Sequence, residues 1–298
     1  MAIPAEDYPV TPSIAILGGS GLYAMPGAEV HERRSIATPF GPTSDPVELG
    51  TLMGTPVAFL SRHGSGHRLL PSEVPYRANL WALKSIGITT VISFSAVGSL
   101  QERHTPGALR LPDQFIDRTQ GRDSTFFGDG LVAHVSLADP TCPCLRQALV
   151  VAGTDLGLPI ENGGTYLCID GPGFSTRAES RLYRTWGADF IGMTQATEAK
   201  LAREAELCYA TVALVTDFDS WRDLDPGAVG TDILAVLHAN IEKGQRLIKA
   251  AVPALHGTDR HCECQKALGA GLVTSASLVP PETRKRLALL VGPHGYDV

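Results

Sequence analysis

Four short apolar runs in this chain each stop at a turn of small, polar or charged residues, and this recurring arrangement narrows the fold more than any other feature. The run 14–17 leads into Gly18-Gly19-Ser20-Gly21, and 57–60 into Ser61-Arg62-His63-Gly64. The run 91–94 leads into Ser95-Ala96-Val97-Gly98-Ser99, and 209–215 into Thr216-Asp217-Phe218-Asp219. Each run has the length of a buried strand. Helical patterns lie between them. Tyr76, Leu80 and Leu83 fall on one face ahead of Gly87, and Thr176 with Glu179 fits a capping box before Leu182, Tyr183 and Trp186, with Gly187 as the stop. Thr231 heads a long pattern carrying Ile233, Val236, Leu237, Ile241 and Ile248, which Gly244 weakens at its middle. Alternating strands and helices predict an α/β fold, and ligands on such folds bind beyond the carboxyl ends of the strands. Four strand ends with different chemistry therefore point to one converging site.

The first three turns suit an anion. Gly18-Gly19-Ser20-Gly21 lets backbone amides approach closely and offers the Ser20 hydroxyl, although it lacks the lysine of a P-loop and full dinucleotide spacing. Arg62 supplies a planar fork of donors, and His63 a ring that titrates near neutrality. His67 stands four residues beyond His63, but a metal there needs a third ligand that the local sequence does not supply. Ser95, the Ala96 amide and the Thr194 hydroxyl add further donors, so that Ser20, Arg62, His63, Ser95, Ala96 and Thr194 can surround one phosphate. The last turn is acidic. Asp217 and Asp219 can hold a metal, act as acid and base, read a donor-rich heterocycle, or cap a turn before Trp221. Phe174 can stack on a base and Met193 can lie under a sugar, though both residue types more often simply pack.

Bulk properties exclude several other classes. Apolar residues make up 44% of the 298 and charged residues 19%, the balance of a globular chain. A net charge of −6 with no basic stripe argues against nucleic acid as partner. No apolar stretch approaches the ~20 residues of a membrane helix, and the segment 1–7 is neither basic nor followed by a long apolar run. A cytoplasmic protein that binds a small molecule, with no membrane partner, is expected. The cysteines Cys142, Cys144, Cys168, Cys208, Cys262 and Cys264 are expected as reduced thiols, several buried. Cys262-x-Cys264 lacks a second pair and histidines at zinc-finger spacing, which speaks against structural zinc.

Taken together with Thr38-Pro39-Phe40-Gly41, Gln114-Phe115-Ile116-Asp117-Arg118-Thr119, Gly171-Pro172-Gly173-Phe174-Ser175, Arg177-Ala178-Glu179-Ser180 and Thr185-Trp186-Gly187-Ala188-Asp189, these turns resemble the trimeric type of the purine nucleoside phosphorylase family. The motifs run in order from about 14 to 252. The resemblance implies a single domain over 1–298, with a C-terminal helical extension at 253–298. Its centre would be a twisted mixed sheet, flanked by helices and partly closed into a barrel. It implies a homotrimer or homohexamer, no metal and no organic cofactor, with inorganic phosphate as co-substrate. The implied reaction is phosphorolysis of 5'-methylthioadenosine to adenine and 5-methylthioribose 1-phosphate. Carried over by position, Ser20, Arg62, His63, Ser95, Ala96 and Thr194 would bind phosphate. Phe174, Ile191 and Met193 would line base and ribose, and Asp217 and Asp219 would face the adenine. His134 would come from a neighbouring subunit, with Ala228 and Leu237 near the methylthio group. Gly173 stands where the motif usually has arginine, Gln195-Ala196-Thr197 replaces Thr-Val-Pro, and Ser20 replaces threonine. The Cys262-x-Cys264 pair resembles one in some thermophilic relatives, where a disulfide is the alternative to free thiols. Other readings of the same residues are a 6-oxopurine phosphorylase, a nucleosidase that uses water, and a purine-binding module without activity.

Overall fold

The structure is a computed structural model that describes residues 12–19, 26–222, 231–258 and 261–296, with the side chains of 231 and 232 outside the description. Its sheet contains β1 (Ile14–Gly18), β2 (Ala28–Arg34), β3 (Val47–Leu52), β4 (Thr55–Ser61), β5 (Thr90–Ser99), β6 (Leu109–Leu111), β7 (Gln114–Asp117), β8 (Ile160–Asn162), β9 (Thr165–Cys168), β10 (Phe190–Gly192) and β11 (Cys208–Asp217). The helices are α1 (Tyr76–Ser85), α2 (Pro143–Asp155), α3 (Arg177–Thr185), α4 (Gln195–Glu204), α5 (Thr231–Leu255) and α6 (Pro281–Val291).

The four apolar runs become β1, β4, β5 and β11, which lie side by side in parallel at the middle of the sheet. Their alternation accounts for the layers. Successive strand residues face opposite sides, so Ala15 and Leu17 of β1 pack with Leu80 and Leu83 of α1, Leu201 of α4 and Leu287 of α6. Ile14 and Ile16 face the other way, toward Leu145 and Leu149 of α2 and Leu247 and Ile248 of α5. A sheet covered on both sides needs strands that are apolar throughout, and all five residues of β1 are buried. This is the mixed, helix-flanked α/β sheet expected from the sequence.

β5 is the branch point. Its first half pairs with β1 on one side and β11 on the other, while Gly98 and Ser99 turn to antiparallel pairing with β10. The ladder is open among the described strands, with β2, β7 and β8 each bonded to a single neighbour. The capping box forms as read: Thr176 accepts from the Glu179 amide, and the Glu179 carboxylate accepts from the Thr176 amide. Gly87 and Gly187 follow α1 and α3 at φ of 89° and 78°, backbone conformations that glycine adopts without steric cost. α5 is described from Thr231 onward, and the expected capping role of that side chain lies outside the described residues. No described helix is long and apolar enough to cross a membrane.

Candidate active site

Arg62 follows directly on β4 and turns inward. Its amide donates to the Gly18 carbonyl over 2.9 Å, tying the ends of β4 and β1 together. Its guanidinium is 3% exposed and pairs with Glu198 of α4 through both Nε and Nη2. Nη2 also donates to Ser93 Oγ, and Nη1 donates to the Phe94 carbonyl over 2.9 Å. Ser93 and Tyr209 in turn donate to Glu198 Oε2 over 2.7 and 2.8 Å. Burial opposes the Arg62 charge, but the carboxylate outweighs it and raises the pKa above its usual value. The expected open fork is thus largely committed, leaving a single Nη1 N–H for a ligand. Glu198, Ser93 and Tyr209 were absent from the sequence-based site. They approach Arg62 only through tertiary packing, Glu198 from 136 positions away.

His63 Nδ1 lies 2.9 Å from the Leu69 carbonyl, which can only accept, so Nδ1 carries the proton and Nε2 is an acceptor. The ring stacks on His67 at 4.4 Å between centroids. Burial, followed by the nearby Arg62 charge, lowers the His63 pKa to about 4. The unfolded ring takes up its proton near 6.5 and the folded ring near 4, so between those values the unfolded chain binds more protons and stability falls as pH falls. His63→Asn is expected to flatten the decline of Tm from about pH 6.5 to about pH 4, which thermal unfolding across that range measures. An unchanged profile would remove His63 as a contributor.

Two further phosphate candidates, Ser95 and Thr194, meet at one buried tyrosine. Ser95 Oγ lies 3.2 Å from Tyr166 Oη, and the Thr194 backbone also bonds that hydroxyl. Burial keeps the Tyr166 hydroxyl protonated, with its pKa raised. Gly192 leaves room for it: a Cβ there would stand 1.9 Å from Tyr166 Oη. Ala96 is exposed on β5, and Thr194 sits at the N-cap of α4 with its own side chain unengaged in capping. Gln195 is fully buried, donating to Thr194 Oγ1 and accepting from Thr211, and its Oε1 also faces the Tyr209 hydroxyl, whose single hydrogen it shares with Glu198. The departure Gln195-Ala196-Thr197 therefore begins with a side chain that joins the core network. Ser20 and Ala228 lie outside the described residues.

The acidic pair ends β11 beside Gly98. The β5–β11 register shifts between Val215 and Asp217, and Asp217 Oδ2 accepts from Thr216 Oγ1 while Oδ1 accepts from the Asp219 amide. Asp219 has φ of 40°, burial raises the pKa of its carboxyl, and its Oδ2 has no hydrogen-bond partner among the described residues. A Cβ on Gly98 would stand 3.1 Å from Asp217 Oδ1, Asp219 Cβ and Ile191 Cγ2 alike. Gly98→Ala is expected to push these groups apart and cut kcat/KM about tenfold with little change in Tm. Steady-state kinetics beside thermal unfolding checks this, and unaltered kinetics would show that the acids have slack.

The remaining lining residues divide. Ile191 is buried on β10 in register with Gly98, and the Met193 carbonyl accepts from Arg122 Nη1 over 2.5 Å. Phe174 is 85% exposed, on a loop tied to the acidic turn where Ser220 Oγ donates to the Ser175 carbonyl over 2.7 Å. A Cβ on Gly173 would meet open space, so the arginine usual there is replaced by a gap. Leu237 is half-buried on α5. His134 stands apart, exposed on a segment whose backbone bonds Gly271. The chain thus gathers Arg62, His63, Ser95, Ala96, Thr194, Ile191, Met193, Asp217 and Asp219 along the exit of β5 and its neighbours, while His134 is placed elsewhere.

Known proteins share this arrangement of chain. The chain is 51% identical to an S-methyl-5'-thioadenosine phosphorylase of Koribacter versatilis, over 94% of its own length and 96% of that protein. A methylthioadenosine phosphorylase from an antarctic soil metagenomic library superposes with TM-score 0.90 at 50% identity, covering 94% of this chain and 99% of that one. A variant of the adenosine/methylthioadenosine phosphorylase of Schistosoma mansoni, solved with methylthioadenosine, gives 0.78 at 32% identity over 94% and 98%. With residues 13–253 matching its family model, and the four strand ends inside that span, this chain belongs to the phosphorylase superfamily.

Proposed function

We propose that the chain is a pentosyltransferase that splits 5'-methylthioadenosine with inorganic phosphate into adenine and 5-methylthioribose 1-phosphate. The names of its relatives support the substrate, and the Schistosoma protein binds methylthioadenosine in its crystal. One observation carries the reading. β5 offers Ser95 and Ala96 at one point and Gly98, beside Asp217, three residues on. Counted from Ala96 and Ser95, that separation is about 7 to 10 Å along an extended strand, enough to set a phosphate and a purine on either side of a ribose.

In this reading phosphate sits on Ser95, the Ala96 amide, Thr194 and the remaining Arg62 N–H, with Ser20 completing the cradle. Neutral His63 accepts a hydrogen bond at Nε2 from the hydroxyl of monohydrogen phosphate, which keeps its proton during the attack. The glycosidic C1'–N9 bond stretches, its electron pair passing into the purine and leaving positive charge on the ribose. A phosphate oxygen attacks C1' from the opposite face. Asp217, acting as the acid, passes a proton to N7 of the departing adenine and regains one as the new sugar phosphate releases its own, and Asp219 accepts from the 6-amino group. Ile191, Met193 and Phe174 cover the base and sugar. Exposed His134 reaches a neighbouring subunit near the sugar's 5' end, which requires a homotrimer or a hexamer of trimers. No metal or organic cofactor takes part.

Base release from methylthioadenosine, adenosine and inosine, with and without phosphate, tests this. Phosphate-dependent adenine release with methylthioadenosine preferred is expected. Preference for inosine would favour the 6-oxopurine reading, and phosphate-independent release a nucleosidase.

A further inference from the structure

Four cysteines distant in sequence meet away from the strand-end site. Cys142 is the N-cap of α2, Cys208 opens β11, and Cys262 and Cys264 flank the start of the short 3₁₀ turn Glu263–Lys266. All four are buried, and their Sγ atoms lie within 4.8 Å of one another. They sit in the apolar layer between the sheet and α2 and α5, with Leu145, Leu149 and Val252 in the same cluster. Of the six cysteines, Cys144 alone is exposed.

From this geometry we propose that Cys142, Cys208, Cys262 and Cys264 form a structural zinc site. Zinc prefers four thiolates in a tetrahedron, whose edges are about 3.8 Å for a Zn–S bond of about 2.3 Å. The observed sulfurs bracket that spacing, all lying within 4.8 Å of one another, with Cys208 and Cys262 at 3.2 Å. Two N–H donors already point at the sulfurs: the Leu145 amide of α2 bonds Cys142 Sγ over 3.4 Å, and Arg203 Nη1 bonds Cys264 Sγ over 3.6 Å. Such donors, the first at a helix N-terminus and the second carrying a positive charge, stabilise ligating thiolates. Binding replaces four S–H protons, which pass to solvent, and leaves a doubly negative centre that Arg203 partly offsets. Four protein ligands leave no open position, so the metal would pin the 262–264 segment to β11 and α2 without entering the reaction. Local spacing around Cys262 lacked a second pair. The fold supplies it from Cys142 and Cys208.

Metal analysis of the purified full-length chain is expected to give about one zinc per chain, retained through dialysis against a chelator. Cys262→Ser should lose most of that zinc and lower Tm, whereas Cys144→Ser should change neither. Should Cys262→Ser fail to fold, the wild-type chain still decides: reduced, metal-stripped protein given Co²⁺ should develop the intense absorption of a tetrahedral tetrathiolate site at one equivalent. A chain that carries no zinc and shows no such spectrum with Co²⁺ overturns the site. So does thiol titration in denaturant that finds these four cysteines as two disulfides, with no metal uptake after reduction.

Discussion

Asp217→Asn is expected to lower kcat/KM for methylthioadenosine by roughly 10²–10⁴-fold, the range for losing a positioned acid–base group. Asparagine keeps the shape: its Oδ1 still accepts from the Asp219 amide, and its Nδ2 donates to Thr216 Oγ1, whose own hydrogen goes to the Val97 carbonyl. What disappears is the carboxyl proton that would pass to N7 of the departing base. The loss should fall mainly on kcat, because N7 becomes basic only as the glycosidic bond breaks. Selectivity for 6-amino over 6-oxo purines should weaken as well. Steady-state kinetics with methylthioadenosine and inosine measures both, and an unchanged ratio with unchanged kcat would take Asp217 out of the chemistry.

Glu198→Ala is expected to destabilise the fold by about 3–5 kcal/mol, the cost of leaving a buried ion without its partner. Arg62 is 3% exposed and its charge is compensated from α4, while Ser93 and Tyr209 donate into the same carboxylate. The substitution removes the acceptor from Arg62 Nε and Ser93 and leaves the Tyr209 hydroxyl with Gln195 alone. Phosphate should partly restore stability, because an anion beside Arg62 supplies the missing negative charge and binding to the folded state adds to its stability. Chemical denaturation with and without phosphate measures this. Wild-type stability in the variant would mean that Arg62 finds another counter-charge.

What the sequence disclosed and what it concealed divide along a physical line. The strand ends were legible because burial on both faces demands an uninterrupted apolar run, and the turn after it must carry whatever meets a ligand. The capping box at Thr176 and Glu179 was legible because both halves of it are three residues apart. Glu198 was not assigned to Arg62, because a helical glutamate has no local mark showing that its partner lies on a strand 136 positions away. Tyr166 is likewise an ordinary core aromatic in sequence, and only the fold sets its hydroxyl against Ser95. Arg62 was read as an open fork, since side-chain type gives donors but not the acceptors already waiting for them. The four-cysteine cluster was hidden for the same reason, its members being drawn from three segments that only packing brings together. His134 entered through family resemblance alone.

The central claim is that phosphate held at the β4 and β5 ends is the nucleophile for a purine nucleoside lying toward Asp217. Incubating the enzyme with methylthioadenosine and inorganic phosphate and following the phosphorus by ³¹P NMR tests it most directly. One sugar 1-phosphate ester should appear for each adenine released, with neither forming when phosphate is omitted. Adenine released at an undiminished rate without phosphate, with free methylthioribose as the partner product, would contradict it.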